Sequence, residues 1–435
     1  MNPAPIEGEV DGSVDAVLRE CPGCGLFQIQ PVLTSGTRAQ CERCGTGLTP
    51  ARRHPLQHSL ALSVAALVLL TVMCLTTLMT VRTAGIEHQA GIFSGPVELV
   101  ARDMAALGIV VAFVTVAAPL TKVLGTIYIL LRIREPDPPR HLRSIFVWVE
   151  RLSTWSMIEV FVLGVFVAYV KLGDIVQIEM DAGVYALLAL TIVIVWADAG
   201  LDRQAIWAVF DTDHAPETSY SAVLAGHVPP GAVGCETCTL VVVPDEPGAK
   251  CPRCGSHLHH RKPESLGRTW ALLIAAVVCY VPANLFPVLT VMQLGVGAPS
   301  TILGGVEELL SSGMYPLAGL VFFASIAVPM LKMVGLSVML VSVQLGHTGW
   351  LRDRTRLYYI IHWIGRWSMI DIFMEALLGA LVQFGGVVTI EPGIGAVAFC
   401  AVVVLTIFAA ETFDPRTMWD AAEGRSTVDE LHAPS

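Results

Sequence analysis

The spacing of the cysteines is the first feature of this sequence that indicates chemistry. Eight of the 11 cysteines form two matched sets of paired CxxC knuckles: Cys21, Cys24, Cys41 and Cys44, then Cys235, Cys238, Cys251 and Cys254. Two such knuckles predict a tetrahedral site of four thiolates, which is structural because no position stays open for a substrate. Gly25, Gly45 and Gly255 follow three of the knuckles and suit the tight turn.

The identity of the metal is left open between two ions. Zinc is our first choice, and iron fits the same four cysteines, as in rubredoxin. A different interpretation gives each ribbon two disulfides, which a reducing cytoplasm disfavours. Each ribbon is too small to fold on an apolar core alone, so its stability should depend on the metal.

Charged residues inside long apolar segments are the second feature. Lys122 and Lys332 occupy equivalent positions in two of these segments, and Glu159 and Asp371 are equivalent in the segments that follow. Glu375 lies one helical turn beyond Asp371 on the same face. An ionisable side chain in hydrocarbon is costly, so each of these residues is a functional hypothesis.

A polar cluster is expected in the C-terminal half. Lys332 and Asp371 lie at similar depths on antiparallel helices, ~15 Å from the helix ends, and could neutralise each other. The neighbouring hydroxyl groups could complete the cluster: Ser325, Ser368 and Thr406. One interpretation is an ion pair that fixes helix packing. The other is a relay or gate whose protonation changes during transport. We place it in the C-terminal half because this half has an additional carboxyl group, Glu375.

Prolines predict breaks in three of the apolar segments. Pro282 and Pro287 lie five residues apart, and two prolines in one helix distort it and free backbone carbonyls. The side chain of Asn284 can bond such groups. Pro119 and Pro329 predict kinks in the second and sixth segments.

The composition indicates a membrane protein. Hydrophobic residues make up 54% of the chain and charged residues only 15%, against roughly a quarter charged in soluble domains. Segments of about 20 apolar residues predict spanning helices. We expect about eight: Leu60–Val81, Met104–Leu131, Leu152–Val170, Asp181–Leu201, Thr269–Leu294, Gly313–Val343, Trp367–Val388 and Gly393–Ala410. The net charge of −10 argues against a nucleic-acid binder.

The distribution of arginine predicts the orientation. The segments between spans two and three and between spans six and seven are rich in arginine, whereas most loops on the opposite side are acidic. The positive-inside rule then places both termini and both ribbons in the cytoplasm. The acidic start of the chain is unlike a cleavable signal peptide, so we expect the first span to remain as an anchor.

An internal repeat organises the chain. Ala118–Gly125 aligns with Val328–Gly335, and Trp155–Phe161 aligns with Trp367–Phe373. The predicted fold is an α-helical polytopic membrane protein with two tandem four-helix units, each preceded by a rubredoxin-like ribbon. The expected divisions are a tail and first ribbon (1–55), the first unit (56–211), a linker and second ribbon (212–264), the second unit (265–420) and a C-terminal tail (421–435).

These combined motifs resemble the PqiA family, paraquat-inducible protein A, and its close relative LetA. The residues that carry the resemblance are the doubled ribbons, Tyr280–Pro287, the Pro-x-x-Lys elements at Pro119 and Pro329, and Trp-Ser-Met-Ile followed by Glu159 or Asp371. The resemblance implies an inner-membrane partner of periplasmic MCE-domain tunnel proteins, which would load or unload lipid, with phospholipid favoured.

The resemblance also implies site residues. A LetA-like protein has a polar network in its C-terminal unit at the positions of Lys332, Asp371, Ser325, Ser368 and Thr406, and each four-helix unit packs in a tetraspanin-like way. The first half departs from the pattern because it lacks the Pro-Ala-Asn-x-x-Pro element. The two halves are therefore not expected to be equally active.

Two other functions compete with lipid transport. The chain could be a membrane redox protein with iron in its ribbons, or a passive anchor for a periplasmic partner. No nucleophile–base triad, phosphate loop, HExxH or Walker A motif occurs in the sequence, so we do not expect an enzyme or an ATP-driven motor.

Overall fold

The computed structural model describes most of the chain. The described residues are 17–30, 37–50, 56–83, 86–135, 138–173, 177–210, 228–246, 248–293, 296–382 and 388–424. Most of the expected N-terminal tail, the linker before the second ribbon and most of the C-terminal tail lie outside these ranges.

Two small ribbons precede the two helical units. Each consists of short antiparallel strands joined by the CxxC knuckles. The strands of the first ribbon are β1 (Val17–Glu20), β2 (Phe27–Gln30), β3 (Arg38–Gln40) and β4 (Gly47–Pro50). The second ribbon contains a pair of two-residue strands, Val233–Gly234 and Val241–Val242, which we number β8 and β9 in chain order.

The first helical unit follows its ribbon. Its helices are α1 (Leu56–Leu75), α2 (Ser94–Ala101), α3 (Ala105–Ala112), α4 (Ala118–Arg132), α5 (His141–Ser153), α6 (Ile158–Gly173), α7 (Ala182–Gly200) and α8 (Arg203–Val209). Its strands are β5 (Met79–Thr83), β6 (Ile86–Ala90) and β7 (Gln177–Met180).

The second unit repeats this order. Its helices are α9 (Ser265–Leu285), α10 (Ile302–Ser311), α11 (Tyr315–Phe322), α12 (Val328–Gln344), α13 (Leu351–Ile364), α14 (Ile370–Leu381), α15 (Ile394–Thr412) and α16 (Arg416–Ala422). Its strands are β10 (Leu289–Gln293), β11 (Val296–Ser300) and β12 (Val388–Pro392).

A three-stranded antiparallel sheet closes each unit at the end away from its ribbon. In the first unit β5 lies between β6 and β7, and in the second β10 lies between β11 and β12. The predicted spans Leu60–Val81 and Thr269–Leu294 are therefore too long, because their helices end at Leu75 and Leu285 and strands follow. β-Branched residues such as Thr80 and Val81 favour the extended chain there.

Seven helices in the described residues are long and apolar enough to span a membrane. The seventh of the eight predicted segments, Trp367–Val388, is the exception. A 3₁₀ turn at Gly365–Met369 separates α13 from α14, and α14 has only 12 residues. Almost all of α14 is buried by neighbouring helices, so it lies inside the protein body and needs no continuous lipid-facing surface.

A single turn of π-helix interrupts the second span of each unit. The turns are Phe113–Ala117 and Phe323–Ala327, and each is followed at once by an α-helix with proline in its first turn, Pro119 or Pro329. A proline lacks the N–H that would continue the helical ladder, so the ladder widens locally. Such π-bulges are frequent at functional sites.

The ribbons are exchanged between the two units. The cysteines of the first ribbon pack in one apolar cluster with Phe413 and Trp419 of the second unit. The cysteines of the second ribbon pack with Phe146 and Trp207 of the first unit. Trp207 and Trp419 are equivalent in the repeat, so the same surface of each unit receives the ribbon that precedes the other unit.

Candidate functional site

Both cysteine sets have the geometry of a four-thiolate metal site. In the first ribbon the Sγ atoms of Cys21 and Cys44, and of Cys24 and Cys41, are 3.5 Å apart. In each ribbon all four sulfur atoms lie within 4.8 Å of one another and all four residues are buried. A zinc–sulfur bond of ~2.3 Å places sulfurs roughly 3.8 Å apart on a tetrahedron, so the residues fit such an ion.

The second ribbon has the same arrangement. Its Sγ–Sγ distances are 3.4 Å for Cys235 and Cys254 and 3.5 Å for Cys238 and Cys251. A disulfide has its sulfurs only ~2.05 Å apart, and all eight ribbon cysteines are free. The interpretation of two disulfides in each ribbon is therefore wrong for this structure.

The knuckle turns need a left-handed residue after the second cysteine. Gly25, Gly45 and Gly255 supply it with φ of 72°, 76° and 75°, as the sequence predicts. The fourth knuckle places Thr239 at this position with φ of 60°. Its hydroxyl accepts a 3.4 Å hydrogen bond from Arg19 of the first ribbon, which links the two ribbons where a glycine would leave a gap.

Arg416 joins both ribbons to the second unit. Its guanidinium contacts Glu20 of the first ribbon at 3.1 Å, Glu236 of the second at 2.6 Å and Asp414 at 2.8 Å. Arg261 adds contacts to Glu20 at 3.3 Å. Because this cluster depends on the exchange of the ribbons, neither repeat nor motif in the sequence pointed to it.

The charges in this cluster are mutually stabilised. Burial alone would raise the pKa of Asp414, but the hydrogen bonds and charge of Arg416 hold that pKa below its ordinary value. Burial opposes the charge of Arg416 as well, and contact with Asp414 nevertheless raises its pKa. The attraction between opposite charges therefore outweighs desolvation for this pair.

The lysine of the first unit is paired, although not as expected. Lys122 donates a 2.6 Å hydrogen bond to Asp198 near the end of α7. Glu159, the repeat equivalent of Asp371, instead accepts a 3.3 Å contact from Arg366 of the second unit. Lys122 and Glu159 therefore both have charge partners, and Glu159 contributes to the contact between units.

Among the described residues, the lysine of the second unit has no carboxylate partner. Lys332 is 2% exposed, and its ammonium donates to the carbonyl oxygen of Gly365 at 2.8 Å and to the hydroxyl of Thr406 at 3.3 Å. No ion pair joins Lys332 to Asp371 among the described residues, so the expected neutralisation is not observed. The 3₁₀ turn that breaks the seventh span presents the carbonyl of Gly365 to the lysine instead.

The acids of the second unit form a separate group. Asp371 and Glu375 are each 4% exposed and line a cavity of about 40 Å³ together with Ser325. The Oδ1 atom of Asp371 and the Oε2 atom of Glu375 have no hydrogen-bond partner in the described structure. Ser325 lies in the π-helical turn, so the irregular backbone helps to form this cavity.

Ser368 lies in the sequence between Gly365, which contacts Lys332, and Asp371 of the carboxylate group. It lies in the same 3₁₀ turn as Gly365 and is fully buried. Its hydroxyl has no partner in the part of the chain that the structure describes. The predicted polar residues of this half are thus all buried, but they divide into a lysine group and a carboxylate group.

The proline element has a more local effect than expected. Pro282 lies inside α9, whereas Pro287 follows the end of that helix. The side-chain amide of Asn284 donates a 2.9 Å hydrogen bond to the carbonyl of Tyr280. The carbonyl of Pro287 accepts a 3.1 Å bond from the N–H of Gly395 at the start of α15. The element therefore fixes where α9 ends against α15.

A larger cavity that the sequence did not indicate lies where the ribbons meet the helices. Its volume is about 700 Å³, and residues of both ribbons and both units line it, including Glu20, Glu236, Tyr359 and Arg416. Its walls carry both signs of charge, and much of that charge is already paired within the wall.

These features define a multi-pass membrane protein made of two repeated helical units and two four-cysteine metal-binding ribbons. The family model described as Paraquat-inducible protein A matches residues 56–211 and 266–423. The chain belongs to this PqiA family.

Three relatives extend the comparison. The chain is 36% identical over 409 residues to "Intermembrane transport protein PqiA" of Escherichia coli (strain K12), covering 92% of this chain and 95% of the relative. It is 31% identical to "Lipophilic envelope-spanning tunnel protein A" of the same organism, covering 93% and 92%. A "Probable intermembrane transport protein" of Haemophilus influenzae is 27% identical over 92% and 94%. No solved structure matches the chain.

The relatives agree on the kind of activity. Two of these three relatives are named as intermembrane transport proteins and one as a tunnel protein, and none is named as an enzyme. A role in intermembrane transport is therefore supported for this chain.

Proposed function

We propose that this protein moves phospholipid between the inner and outer membranes. It acts in the inner membrane, with ribbons and termini in the cytoplasm, and loads lipid into, or receives it from, an MCE-domain tunnel protein in the periplasm. The ribbons hold zinc as structural ions. The observation that carries this proposal is the set of buried, unneutralised polar groups inside the second helical unit.

The energetic argument starts from Lys332. An ammonium at this burial, held only by a carbonyl and a hydroxyl, is costly in a membrane-embedded body. Asp371 and Glu375 add two carboxyl groups with unpartnered oxygens. A passive anchor has no use for this arrangement, because apolar side chains of the same volume would pack at lower cost.

The first unit provides an internal reference. Its lysine is paired with Asp198, and Leu163 stands at the position equivalent to Glu375. The same scaffold therefore folds without free carboxylates, which supports a transport role specific to the second unit. Protonation changes at Lys332 and Asp371 would let the two polar groups alternate between states as lipid passes.

The charge distribution supports the proposed orientation. α13 lies at the ribbon end of the second unit, where Arg352 donates to the carbonyl oxygens of Glu42 and Arg43 in the first ribbon at 2.9 and 2.5 Å. Arg143 of α5 donates to the carbonyl of Pro252 in the second ribbon at 3.3 Å. The arginine-rich segments and both ribbons thus share one face, as expected for a cytoplasmic side.

The partner can be identified and the transport measured in two steps. A photo-crosslinking amino acid replaces Leu303, an exposed residue of α10, and cross-linked proteins from intact cells are identified by mass spectrometry. The full-length chain and that partner are then reconstituted in liposomes, and transfer of fluorescent phospholipid to acceptor vesicles is followed.

We expect an MCE-domain protein in the cross-link and transfer that depends on both components. Lys332→Met should slow transfer at least tenfold, equivalent to ~1.4 kcal/mol in a barrier, whereas the exposed Lys250→Met serves as a control at the wild-type rate. Equal rates of lipid transfer by the Lys332→Met and wild-type proteins would favour a passive anchor and contradict the proposal.

A further inference from the structure

The carboxylate cavity of the second unit has a two-sided charge pattern. Asp371, Glu375 and Ser325 form its buried side, and all three are at most 4% exposed. Lys171, Ser300 and Thr301 line it where the protein is more open to its surroundings. Negative groups therefore lie deep in the cavity, and the positive group lies nearer the exterior.

Within the part of the chain that the structure describes, neither carboxyl group forms an ion pair with a cationic side chain. Asp371 and Glu375 are four residues apart on α14, so their charges repel each other. Oδ1 of Asp371 and Oε2 of Glu375 are buried, unpartnered and adjacent to free volume. Lys171 lines the same cavity but forms no ion pair with either acid within the described residues. A cation with N–H donors would satisfy both oxygens.

The opposite side of the cavity suits an anion. The first turn of α10 borders it through Thr301, Ile302 and Gly305, and the N-terminus of a helix carries partial positive charge. Lys171 contributes a full positive charge on the same side. Apolar residues complete the wall, among them Leu289, Leu309 and Val321.

We propose that this cavity binds the headgroup of an aminophospholipid, with the primary ammonium between Asp371 and Glu375 and the phosphate toward Lys171 and α10. The proposal rests on the proposed lipid-transport function and names its substrate class. The volume of about 40 Å³ holds roughly three water-sized groups at 10–15 Å³ each, which matches the three non-hydrogen atoms of an aminoethyl group.

The size of the cavity and its acceptor oxygens predict discrimination between headgroups. A trimethylammonium group is larger and has no N–H to donate to the two unpartnered oxygens. A glycerol headgroup carries no positive charge to neutralise the carboxylates. Hydrogen bonds to a charged group are each equivalent to roughly a tenfold to hundredfold change in affinity, so the preference for ethanolamine should be of that order.

Native mass spectrometry of the full-length protein in detergent tests this preference. The probes are dihexanoyl lipids with ethanolamine, choline or glycerol headgroups, added at equal concentrations. We expect the wild-type protein to retain the ethanolamine lipid at least about tenfold better than the other two. Glu375→Gln and Asp371→Asn should abolish the difference, because the amides keep their shape and lose their charge.

The matched control is Glu308→Gln, an exposed acid on α10 that does not line the cavity. It should bind all three lipids as the wild type does. Equal retention of the three headgroups by the wild type, or a preference that survives Glu375→Gln, would overturn the proposal.

Two further outcomes distinguish the headgroup proposal from a metal-cation site and from the proposed transport function. The first outcome is a melting temperature of the wild type that is higher in sodium chloride than in choline chloride, with no such rise for Glu375→Gln and no lipid preference. The cavity would then hold a metal cation, and the headgroup proposal would fail. If fluorescent phospholipid is transferred without any headgroup preference, the proposed transport function stands and the headgroup proposal alone fails.

Discussion

The two halves of this chain share one fold, but the equivalent buried lysines of the two halves have different partners. Lys122 of the first unit reaches Asp198 at 2.6 Å, and that carboxylate is 42% exposed. Lys332 of the second unit is buried against a carbonyl and a hydroxyl instead. The position equivalent to Asp198 is Ala410, so the second unit has the lysine without this partner.

The difference shows what the common scaffold requires and what it does not. Both units contain the π-helical turn, the Pro-x-x-Lys element and the three-stranded sheet, so these features belong to the fold. The unneutralised lysine and the carboxylate cavity occur in the second unit, and the first unit has the same order of elements without them. They are the features to mutate when function is tested separately from structure.

The largest expected effect concerns the metal ribbons and their exchange. Cys24→Ser should remove one of two bound metal ions and unfold the first ribbon, because structural zinc contributes about 10–16 kcal/mol to such ribbons. The damage should appear in the second unit, at Tyr359 and Trp419, as faster hydrogen–deuterium exchange. Cys238→Ser should instead expose Trp207 and Phe210 of the first unit.

Elemental analysis of the same two variants counts the metal and identifies it. Zinc in a colourless protein removes the redox interpretation, whereas iron with a visible absorption band would restore it. Faster exchange confined to the unit that directly follows the mutated ribbon would contradict the exchanged packing.

The second prediction compares Asp414 with its repeat equivalent, Asp202. Asp414 holds Arg416 between the ribbons, and breaking a buried ion pair on one side costs about 3–5 kcal/mol. Asp202 accepts from the N–H groups of Gln204 and Ala205 as a helix cap, and loss of a cap costs about 1 kcal/mol. Thermal unfolding in detergent should therefore show a much larger loss for Asp414→Asn than for Asp202→Asn.

The third prediction compares the two lysines. Lys332→Met should leave the melting temperature unchanged or higher, because a methionine replaces an ammonium without a counter-charge, while lipid transfer falls about tenfold or more. Lys122→Met should cost about 1 kcal/mol of stability, the usual value of a partly exposed pair, and transfer should fall only with the amount of folded protein. Equal losses of transfer per folded molecule would abolish the distinction between the halves.

The smallest expected effect concerns the contact between units. Glu159 and Arg366 are about one-third exposed and 3.3 Å apart, so Glu159→Gln should reduce stability by less than about 1 kcal/mol. A high-salt measurement should shrink the difference further because solvent screens such a pair. A loss of several kcal/mol would indicate that this contact, and not the apolar interface, holds the units together.

The sequence predicted what depends on local pattern. The eight ribbon cysteines, the glycines after the knuckles and the repeat all follow from spacing, because a short segment contains every residue that the inference needs. The bounds of the fourth and eighth spans, Ala182–Gly200 and Ile394–Thr412, were also close, since apolar length largely sets them.

Features that depend on distant pairing could not be predicted in this way. The partner of Lys122 lies on the fourth span and not the third, and depth along a helix does not tell which neighbour a side chain faces. The 3₁₀ turn at Gly365–Met369 precedes a helix that is buried almost all round, and no local motif in the sequence indicates it. The contacts of Arg416 needed knowledge of the ribbon exchange, which neither repeat reveals by itself.

The exchanged ribbons also bear on how such a chain could arise. A single unit with its own ribbon would leave Trp207 or Trp419 uncovered and the ribbon without a surface to pack on. Two identical subunits, each lending its ribbon to the other, would satisfy both needs at once. The present chain has the form of such a swapped homodimer with its two subunits joined end to end.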